Sequence, residues 1–486
     1  MNYRMIGRLI SFILIVEAIF MLPAMILCFC DGAVSSAIAF IESISIILVA
    51  AVILHLVCVK ADKRFYAREG LICVGLSWIS MSLFGALPFV FSREIPNYID
   101  ALFEIASGFS TTGASIVNDV EAMSRGILLW RSTSHWLGGM GVLVFLLAVV
   151  PISGRNDGFT LHLLRAESPG PEVGKLVPRM KQTALILYLM YILITVLDFV
   201  CLVIAKMPVF DAVCTAIGTA GTGGFGVLNT SIGSYSPAIQ NICTVFMFLF
   251  GVNFGCYYLL ICRQFKSVLK DEELRWYIGL ALGAITVITI TLSMHKFYPT
   301  FGETVRHAAF QVGSFMTTTG FSTTDFDLWP SLAKGILFML MFLGACAGST
   351  GGGFKIGRML IICKIFARNV RQLIYPQKVQ VIRMNGRVVD EKVLRNTNAY
   401  LCAFAIIIAV SFLIVSLDEF SLITNLSAVA SCFNNIGPGF DSIGPTLNFS
   451  GYSALSKIVF IIDMLAGRLE IFPIIALFSR SAWGKR

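Results

Sequence analysis

Long apolar segments alternate with short polar connections along most of the chain. A helix needs about 20 apolar residues to cross the hydrocarbon core of a bilayer, and many windows reach that length. They include Ile6–Cys28, Ser36–Cys58, Leu71–Phe91, Gly126–Val150, Ala184–Ala205, Ile239–Cys262, Tyr277–Leu292, Ala399–Leu417 and Ile458–Phe478. The pattern predicts an all-α integral membrane protein, embedded in a lipid bilayer.

The composition agrees with this prediction. Of the 486 residues, 57% are hydrophobic and 13% are charged, and the mean hydropathy of +0.82 lies far outside the soluble range. The 13 cysteines form no CxxC pair, which argues against a metal or redox framework. The loops carry no cluster of His, Asp or Glu of the kind an enzyme would need, and we expect no nucleic acid partner.

Lys and Arg gather in alternate connections between the apolar segments, which indicates the orientation of the chain. These connections are VKADKRFYAR (59–68), Gly154–Lys181, Arg263–Arg275, Lys355–Arg395 and the C-terminal SRSAWGKR. By the positive-inside rule, they and both termini are cytoplasmic. The opposite face carries acidic residues such as Asp325 and Asp327, which would concentrate cations, although ordinary solvated loop residues are the simpler interpretation of each one.

A polar segment with a glycine recurs four times, each time after a short amphipathic stretch and between two apolar spans. The copies are FEIASGFSTTGAS (103–115), VCTAIGTAGTGGFG (213–226), FQVGSFMTTTGFST (310–323) and VASCFNNIGPGFDS (429–442). Aligned on Gly113, Gly224, Gly320 and Gly437, they lie 111, 96 and 117 residues apart. Four copies of one unit is the simplest account.

The repeat divides the chain into five parts. Residues 1–65 form two extra N-terminal spans, and the four pore repeats follow at 66–165, 166–270, 271–392 and 393–486. The amphipathic stretch in each repeat is about a dozen residues long, half of a bilayer crossing, so it must enter and leave by the same, outer face. Four such span–re-entrant pore loop–span repeats around one pseudo-fourfold axis predict a single pore.

The glycine of each copy explains how the loop could meet a cation. Non-helical backbone at membrane depth must be buried in protein or line water, and glycine lets its carbonyls point at one axis. Rings of carbonyls that replace the hydration shell are how proteins pass potassium. The predicted filter residues are Thr111, Thr112 and Gly113; Thr222, Gly223 and Gly224; Thr318, Thr319 and Gly320; and Asn435, Ile436 and Gly437. Of the adjacent Gly223 and Gly224, either could be the matching glycine.

The segments STTGAS, TGGFG, TTTGFST and NNIGPGF, together with RAESPGPEVGKLVPRMKQTA (165–184), resemble the Trk/Ktr/HKT superfamily of cation transporters. The two extra N-terminal spans are similar to those of its TrkH branch rather than its shorter KtrB branch. The resemblance implies potassium (K⁺) uptake across a bacterial cytoplasmic membrane, a homodimer with one pore per chain, and an RCK-type cytoplasmic nucleotide-binding partner. In this superfamily a serine in place of the first filter glycine accompanies sodium passage, so Gly113 fits the potassium-type pattern.

A second glycine-rich segment, GACAGSTGGGFKIGR (344–358), interrupts the span that follows the third filter. Glycine costs about 1 kcal/mol per residue relative to alanine in a helix, so this segment must face protein or water. The matching loop of the superfamily acts as a gate beneath the filter. That resemblance assigns a gating role to Gly348, Ser349, Thr350, Gly351, Gly352 and Gly353. A kink for close helix packing is the alternative, whereas a phosphate-binding loop is disfavoured because Phe354 displaces the lysine.

Arg468 is a charge well inside the last apolar segment, which is expensive and indicates a function. Helical spacing places neither Asp463 nor Glu470 on its face, so we expect Arg468 to point toward the pore and to hold ions back, as the resemblance also implies. An interhelical salt bridge or a snorkelling side chain is the alternative.

Two transport mechanisms remain open from the sequence. The first is a potassium pore gated from the cytoplasm, with K⁺ as the transported ion and no organic cofactor. The second is a secondary cation symporter coupled to protons or sodium, which also uses broken helices and repeats. Four loops that enter from the same face favour the pore, because symporter repeats are usually inverted pairs.

Overall fold

The computed structural model describes residues 1–59, 66–139, 141, 180–377 and 380–483. The second half of the predicted span Gly126–Val150, almost all of the basic connection Gly154–Lys181 and most of the segment at 165–184 lie outside the described residues. The described part is mostly helical, with irregular loops between the helices and one short hairpin of two strands.

Two long apolar helices open the chain and pack along each other. Helix α1 spans Tyr3–Cys30 and α2 spans Val34–Val57. The side chain of Asn2 accepts a hydrogen bond from the N–H of Met5 and so caps the first turn of α1. Both helices present apolar side chains on their outer surfaces, as expected for helices that face lipid.

The helices that follow are described in four groups, called units. The first contains α3 (Ala67–Gly85), α4 (Leu87–Phe91), α5 (Tyr98–Phe109) and α6 (Arg125–Gly139). The second contains α7 (Met180–Ile204), α8 (Val209–Gly221), α9 (Pro237–Phe250), α10 (Phe254–Ile261) and α11 (Phe265–Leu269). Each unit thus has a long helix, a short helix, an irregular loop and a further helix.

The third unit contains α12 (Glu272–Met294), α13 (Phe301–Met316), a 3₁₀ turn (Phe326–Leu328), α14 (Ser331–Met341) and α15 (Ile356–Ile374). The hairpin of β1 (Arg383–Met384) and β2 (Arg387–Val388) leads to the fourth unit. That unit contains α16 (Glu391–Val415), α17 (Leu422–Asn434), α18 (Ala454–Arg468), α19 (Phe472–Phe478), α20 (Arg480–Trp483) and 3₁₀ turns at Ser416–Asp418 and Asp441–Ile443.

The multi-span prediction is confirmed by the lengths of the helices. Among the described residues, six helical segments are long and apolar enough to cross a membrane, and the bent pair α9–α10 would make a seventh. The six are Tyr3–Cys30, Val34–Val57, Arg68–Phe91, Ala184–Ile204, Glu272–Met294 and Glu391–Asp418.

The last apolar span of the second unit and that of the fourth unit are broken rather than continuous, which corrects the sequence prediction for these two spans. The expected span Ile239–Cys262 bends by 89° between α9 and α10, where Asn253 caps the new helix. The expected span Ile458–Phe478 breaks where Glu470 and Ile471 adopt left-handed φ angles of 58° and 69°. Apolar composition hides such breaks, because they depend on local caps and backbone angles and not on hydropathy.

The four short helices α5, α8, α13 and α17 lie at the centre of the bundle. Each is surrounded by the helices of its own unit or of a neighbouring unit, as α5 is by α3, α6 and α18. Their buried faces are rich in small residues, which let the backbones of neighbouring helices approach closely. Close packing of this kind holds helices together in a bilayer, where water supplies no hydrophobic driving force between them. The face of the bundle on which these four helices begin is called the loop face below.

Candidate ion pathway

The four polar loops share one backbone conformation at the ends of the short helices. In each loop, a residue one or two positions after the end of the short helix has a left-handed φ angle. The glycine two positions further along has a left-handed φ angle as well. The φ angles are 58° and 78° at Thr111 and Gly113, 55° and 73° at Thr222 and Gly224, 57° and 84° at Thr318 and Gly320, and 57° and 104° at Asn435 and Gly437. Of the two adjacent glycines in the second loop, Gly224 is therefore the one that matches the other three.

The loops touch one another in a closed cyclic order. A Cβ atom placed on any of the four glycines would clash with a carbonyl oxygen of the next loop. The pairs are Gly113 with Gly223 at 2.0 Å, Gly224 with Thr319 at 2.1 Å, Gly320 with Ile436 at 2.1 Å, and Gly437 with Thr112 at 2.8 Å. The ring excludes any larger side chain, because both the backbone angle and the space require glycine.

The carbonyl groups of this ring are available to a ligand. Within the described ranges, no hydrogen-bond donor reaches the carbonyl oxygens of Thr112, Gly223, Thr319 or Ile436. A cavity of about 140 Å³ is lined by all four ring glycines and by polar residues of the loop face such as Asn118, Asn229 and Ser322. Buried carbonyls without a donor are costly unless water or a cation satisfies them.

A buried ion pair supports the first two loops from behind. Arg131 on α6 is 2.6 Å from the carboxylate of Glu104 on α5, and both side chains are almost completely buried. The carboxylate also accepts from the N–H of Ile116 at 3.0 Å, beyond the first ring glycine. The guanidinium lies 4.1 Å from the ring centroid of Phe225, which follows the second ring glycine. The pair therefore connects two loops of the ring.

His135, one turn along α6 from Arg131, packs in the same place. Its Nδ1 lies 2.9 Å from the carbonyl oxygen of Gly108, and its ring centroid is 4.2 Å from that of Phe225. A Cβ on Gly223 would be 2.1 Å from the imidazole. Gly223 therefore has to be a small residue as well, although its φ angle is not left-handed.

The predicted gate residues lie in an irregular loop between α14 and α15, directly beneath the ring. The N–H of Gly352 donates to the hydroxyl of Thr318 at 2.6 Å. The hydroxyl of Thr222 donates to the carbonyl oxygen of Thr350 at 3.0 Å. A Cβ on Gly352 would be 2.8 Å from the Cβ of Asn435. The loop thus contacts the left-handed residues of the second, third and fourth polar loops.

The same loop is held against α9 and α10 of the second unit. The N–H of Cys346 donates to the carbonyl of Gly251 at 3.1 Å, and the N–H of Phe254 donates to the carbonyl of Gly348 at 3.0 Å. Ser349 turns away and donates to the carbonyl of Cys346 at 2.7 Å, within its own loop. Gly348 and Gly353 adopt left-handed φ angles of 71°, which a non-glycine residue would adopt only under strain.

Arg468 joins this loop to the first unit. Its guanidinium donates to the carbonyl oxygen of Thr350 at 2.7 Å and to those of Gly138 and Gly139 at 2.6 and 2.5 Å. The side chain remains partly exposed. The two acidic residues nearest in sequence have other partners: Asp463 accepts from the hydroxyl of Ser411, and Glu470 pairs with the buried Arg358. Arg468 therefore connects the loop with α6.

Further contacts join the loops at the loop face. Asn229 donates to Asp119 at 2.9 Å, the N–H of Ile232 donates to Ser322 at 3.0 Å, and Asn448 donates to Val117 at 3.1 Å. The third and fourth loops meet where the N–H of Asp441 donates to Asp327 at 2.7 Å. The acidic residues Asp325 and Asp327 therefore both have structural contacts at the loop face. Asp327 accepts from Asp441, and Asp325 caps the 3₁₀ turn.

The fold defines a multi-span membrane protein in which four polar loops contact one another in a closed ring. Residues 36–484 match the TrkH family, described as a cation transport protein. The chain belongs to the TrkH family. The expected resemblance is thereby confirmed, and the family is one of transport proteins, not enzymes.

The relatives that the chain resembles span its full length. The Trk system potassium uptake protein TrkH of Salmonella typhimurium is 35% identical over 493 aligned residues, covering 99% of this chain and 100% of that protein. The potassium uptake protein TrkG of Escherichia coli is 33% identical over 87% of both chains. The crystal structure of the potassium transporter TrkH from Vibrio parahaemolyticus superposes with a TM-score of 0.88, at 29% identity, and covers 100% of both chains.

Some residues of this site escaped the sequence analysis. Glu104 sits in an amphipathic stretch where one carboxylate is unremarkable, and Arg131 and His135 lie near the start of a span, where their positions in the sequence do not indicate which groups they contact. The signal that was available is a pair of opposite charges on two segments of one unit. Its spacing of 27 residues carries no information about contact until the loop between the helices is folded.

Proposed function

We propose that the chain is the potassium-conducting subunit of a Trk-type uptake system, with one conduction path through the ring of four polar loops. The observation that carries this proposal is the cyclic contact of Gly113, Gly224, Gly320 and Gly437 with the carbonyl of the next loop. A closed ring of backbone carbonyls can replace the hydration shell of a cation. The potassium uptake proteins among the relatives support K⁺ as the transported ion.

In this proposal the four units are the pore repeats at 66–165, 166–270, 271–392 and 393–486, arranged with pseudo-fourfold symmetry. Residues 1–65 are the two added spans. The filter consists of the three residues that end in each ring glycine, and Gly223 contributes through its carbonyl. The shared left-handed pair in every loop supports the assignment of equivalent residues.

The loop of Gly348–Gly353 is proposed as the gate beneath this filter, together with Arg468. Its support is position: Thr350 and Gly352 contact the ends of the filter loops, and Arg468 places a cationic group at the same depth. A fixed positive charge raises the free energy of a potassium ion passing beneath the filter. Movement of the loop with its arginine contact would open the path.

The basic connections support an orientation in which the loop face lies outside a bacterial cytoplasmic membrane and both termini lie in the cytoplasm. The resemblance to the superfamily supports a homodimer and a separate RCK-type nucleotide-binding subunit on the cytoplasmic side. The exposed basic residues Arg371, Arg387 and Lys392 near the hairpin offer such a partner a charged surface.

The experiment is ion flux into liposomes that contain the purified chain, with Gly113→Ser as the test variant. A serine Cβ at this position would meet the carbonyl of Gly223, so we expect K⁺ flux to fall and the preference for K⁺ over Na⁺ to weaken. Gly302→Ser is the matched control, because the space around Gly302 is open. Absence of K⁺ flux in the wild type, or an unchanged ion preference in Gly113→Ser, would refute the filter.

A further inference from the structure

One carboxylate holds both ends of residues 347–357, the part of the connection from α14 to α15 that contains the predicted gate. Glu273, in the first turn of α12, accepts from the N–H of Ala347 at 2.7 Å and from the N–H of Gly357 at 2.9 Å through the same oxygen. Ala347 directly precedes the predicted gate residues 348–353, and Gly357 lies in the first turn of α15. Only 6% of the glutamate surface is exposed. Hydrogen bonds to a buried charged acceptor are stronger than those between neutral groups.

The two residues before Glu273 are bound to the hairpin of β1 and β2. The turn residue Asn385 accepts from the N–H of Glu272 at 2.8 Å, and its own N–H donates to the Glu272 carboxylate at 3.0 Å. Its side-chain amide donates to Asp271 at 2.8 Å. Asp271 is also the N-cap of α12, accepting from the N–H of Leu274 at 2.9 Å. The hairpin is therefore hydrogen-bonded to the N-terminus of α12, the helix that carries Glu273.

A lysine strengthens this connection from α15. Lys364 pairs with the carboxylate of Glu272 and donates to the carbonyl oxygen of Arg383 on β1 at 2.7 Å. The hairpin, the first turn of α12 and the middle of α15 are thus tied together at one point. These groups lie at the end of the bundle away from the loop face and are exposed or half-buried, except Glu273.

We propose that the hairpin of β1 and β2, through Asn385, and Glu273 form one mechanical connection. The position of the hairpin then determines how well residues 347–357 of the loop are ordered. Displacing the hairpin withdraws three hydrogen bonds from Asp271 and Glu272. The first turn of α12 then loses its restraint, and with it the position of the carboxylate that holds both ends of the loop. Glu273 is a positioning residue in this account, and the connection regulates the gate that the proposed function assigns to the loop.

The alternative is that both contacts only stabilise the fold. In that case, removing the Asn385 side chain would lower stability without loosening the loop selectively, because the side-chain hydrogen bonds described for Asn385 go to Glu272 and Asp271 and not to the loop. The distinction therefore requires a local measurement. Backbone amide exchange reports local opening in the native state and does not depend on ion flux.

The experiment measures hydrogen exchange by mass spectrometry on the full chain in lipid nanodiscs, together with Rb⁺ flux in liposomes. Asn385→Gly removes the side chain but keeps the left-handed φ of 50°. We expect exchange in peptides covering 345–358 to rise at least about threefold, as for a lost hydrogen bond, with no change in peptides covering 110–115. Asn396→Ala, an exposed asparagine on α16, is the control and should change neither.

Glu273 provides the second pair of variants. Glu273→Ala should raise exchange of the same peptides by about tenfold or more, and Glu273→Gln should raise it less, because the amide oxygen still accepts but carries no charge. If Glu273→Ala does not fold, Glu273→Gln and Asn385→Gly carry the test. Unchanged exchange at 345–358 in Asn385→Gly would overturn the connection. Raised exchange with unchanged Rb⁺ flux would support the connection and refute the gating role of the loop instead.

Discussion

The guanidinium of Arg468 and the carbonyl oxygen of Thr350 lie 2.7 Å apart, joining the end of α18 to the loop beneath the ring. The same carbonyl accepts from Thr222 at 3.0 Å, so one oxygen connects the loop with the second polar loop and with α18. Through Gly138 and Gly139, the arginine also reaches α6. A single side chain therefore bridges the first, third and fourth units at the depth of the proposed gate.

Arg468→Ala should increase K⁺ flux. The substitution removes hydrogen bonds from a charged donor, each worth about 1.5–3 kcal/mol, and removes a positive charge from the cation path. Rb⁺ uptake into liposomes measures the effect, and we expect an increase of several-fold. Arg468→Lys keeps the charge but not the forked geometry, so its flux should lie between wild type and Arg468→Ala. A flux below wild type in Arg468→Ala would contradict a restraining role.

Gly320→Ala should abolish most K⁺ flux. A Cβ at this position would be 2.1 Å from the carbonyl oxygen of Ile436, and the φ of 84° is strained for alanine. We expect Rb⁺ uptake to fall more than about tenfold. An increase of about 1.4 kcal/mol in the free-energy barrier to transport already lowers the rate tenfold.

Gly335→Ala is the matched control for that substitution. Gly335 lies in α14 with open space around its Cα, and alanine favours a helix by up to about 1 kcal/mol. Its flux should equal that of the wild type, and its thermal stability in detergent should be unchanged or raised. Equal losses of flux in both variants would show that the ring contact is not the cause.

Arg131→Met should destabilise the protein by about 3–5 kcal/mol, because it leaves the carboxylate of Glu104 buried without its partner. The double variant with Glu104→Gln should recover part of this loss, since no unpaired charge remains. Chemical unfolding in detergent measures both. Asp31→Asn is the control: it breaks an ion pair with Arg125 that is largely exposed, so its cost should stay below about 1 kcal/mol. Equal costs for the two single variants would refute the supporting role of the buried pair.

Asp441→Asn should reduce thermal stability at neutral pH but not in strong acid. Hydrogen bonds from the hydroxyls of Ser421 and Thr424 lower the pKa of Asp441 below its ordinary value. A carboxylate whose folded pKa is lowered stabilises the fold above its unfolded pKa of about 3.9, and the contribution disappears as pH falls through the folded value. Asparagine tolerates the left-handed φ of 61° at this position, so the backbone is preserved.

The melting temperatures of wild type and Asp441→Asn should therefore differ at pH 7 and converge as the pH falls below about 3.9. Glu419→Gln is a suitable control, because Glu419 also has a left-handed φ of 55° at the same face. A difference that persists unchanged into acid would show that the charge of Asp441 is not responsible.

The four-loop pattern was visible in the sequence because each loop combines a short amphipathic stretch with Thr, Gly or Asn between apolar spans. The family assignment followed from the same segments and is confirmed. The breaks at 251–253 and 469–471 were missed, because a helix interrupted inside a protein has the same hydropathy as a continuous one. The partner of Glu104 was missed because contact between two helices depends on how they pack.

The sequence by itself determined that this chain crosses a membrane many times, since its apolar segments can be buried only in lipid or in one another, and it located the four glycines by their recurrence. Only the tertiary structure decided that Gly224, not Gly223, takes the left-handed position, because both residues are glycine and the choice lies in the backbone angle. It also decided that the glycines face the carbonyls of neighbouring loops, that Arg468 reaches Thr350, and that Glu273 holds both ends of the loop. These contacts join residues far apart in the chain, so their distances follow from the packing of the helices and from no local pattern.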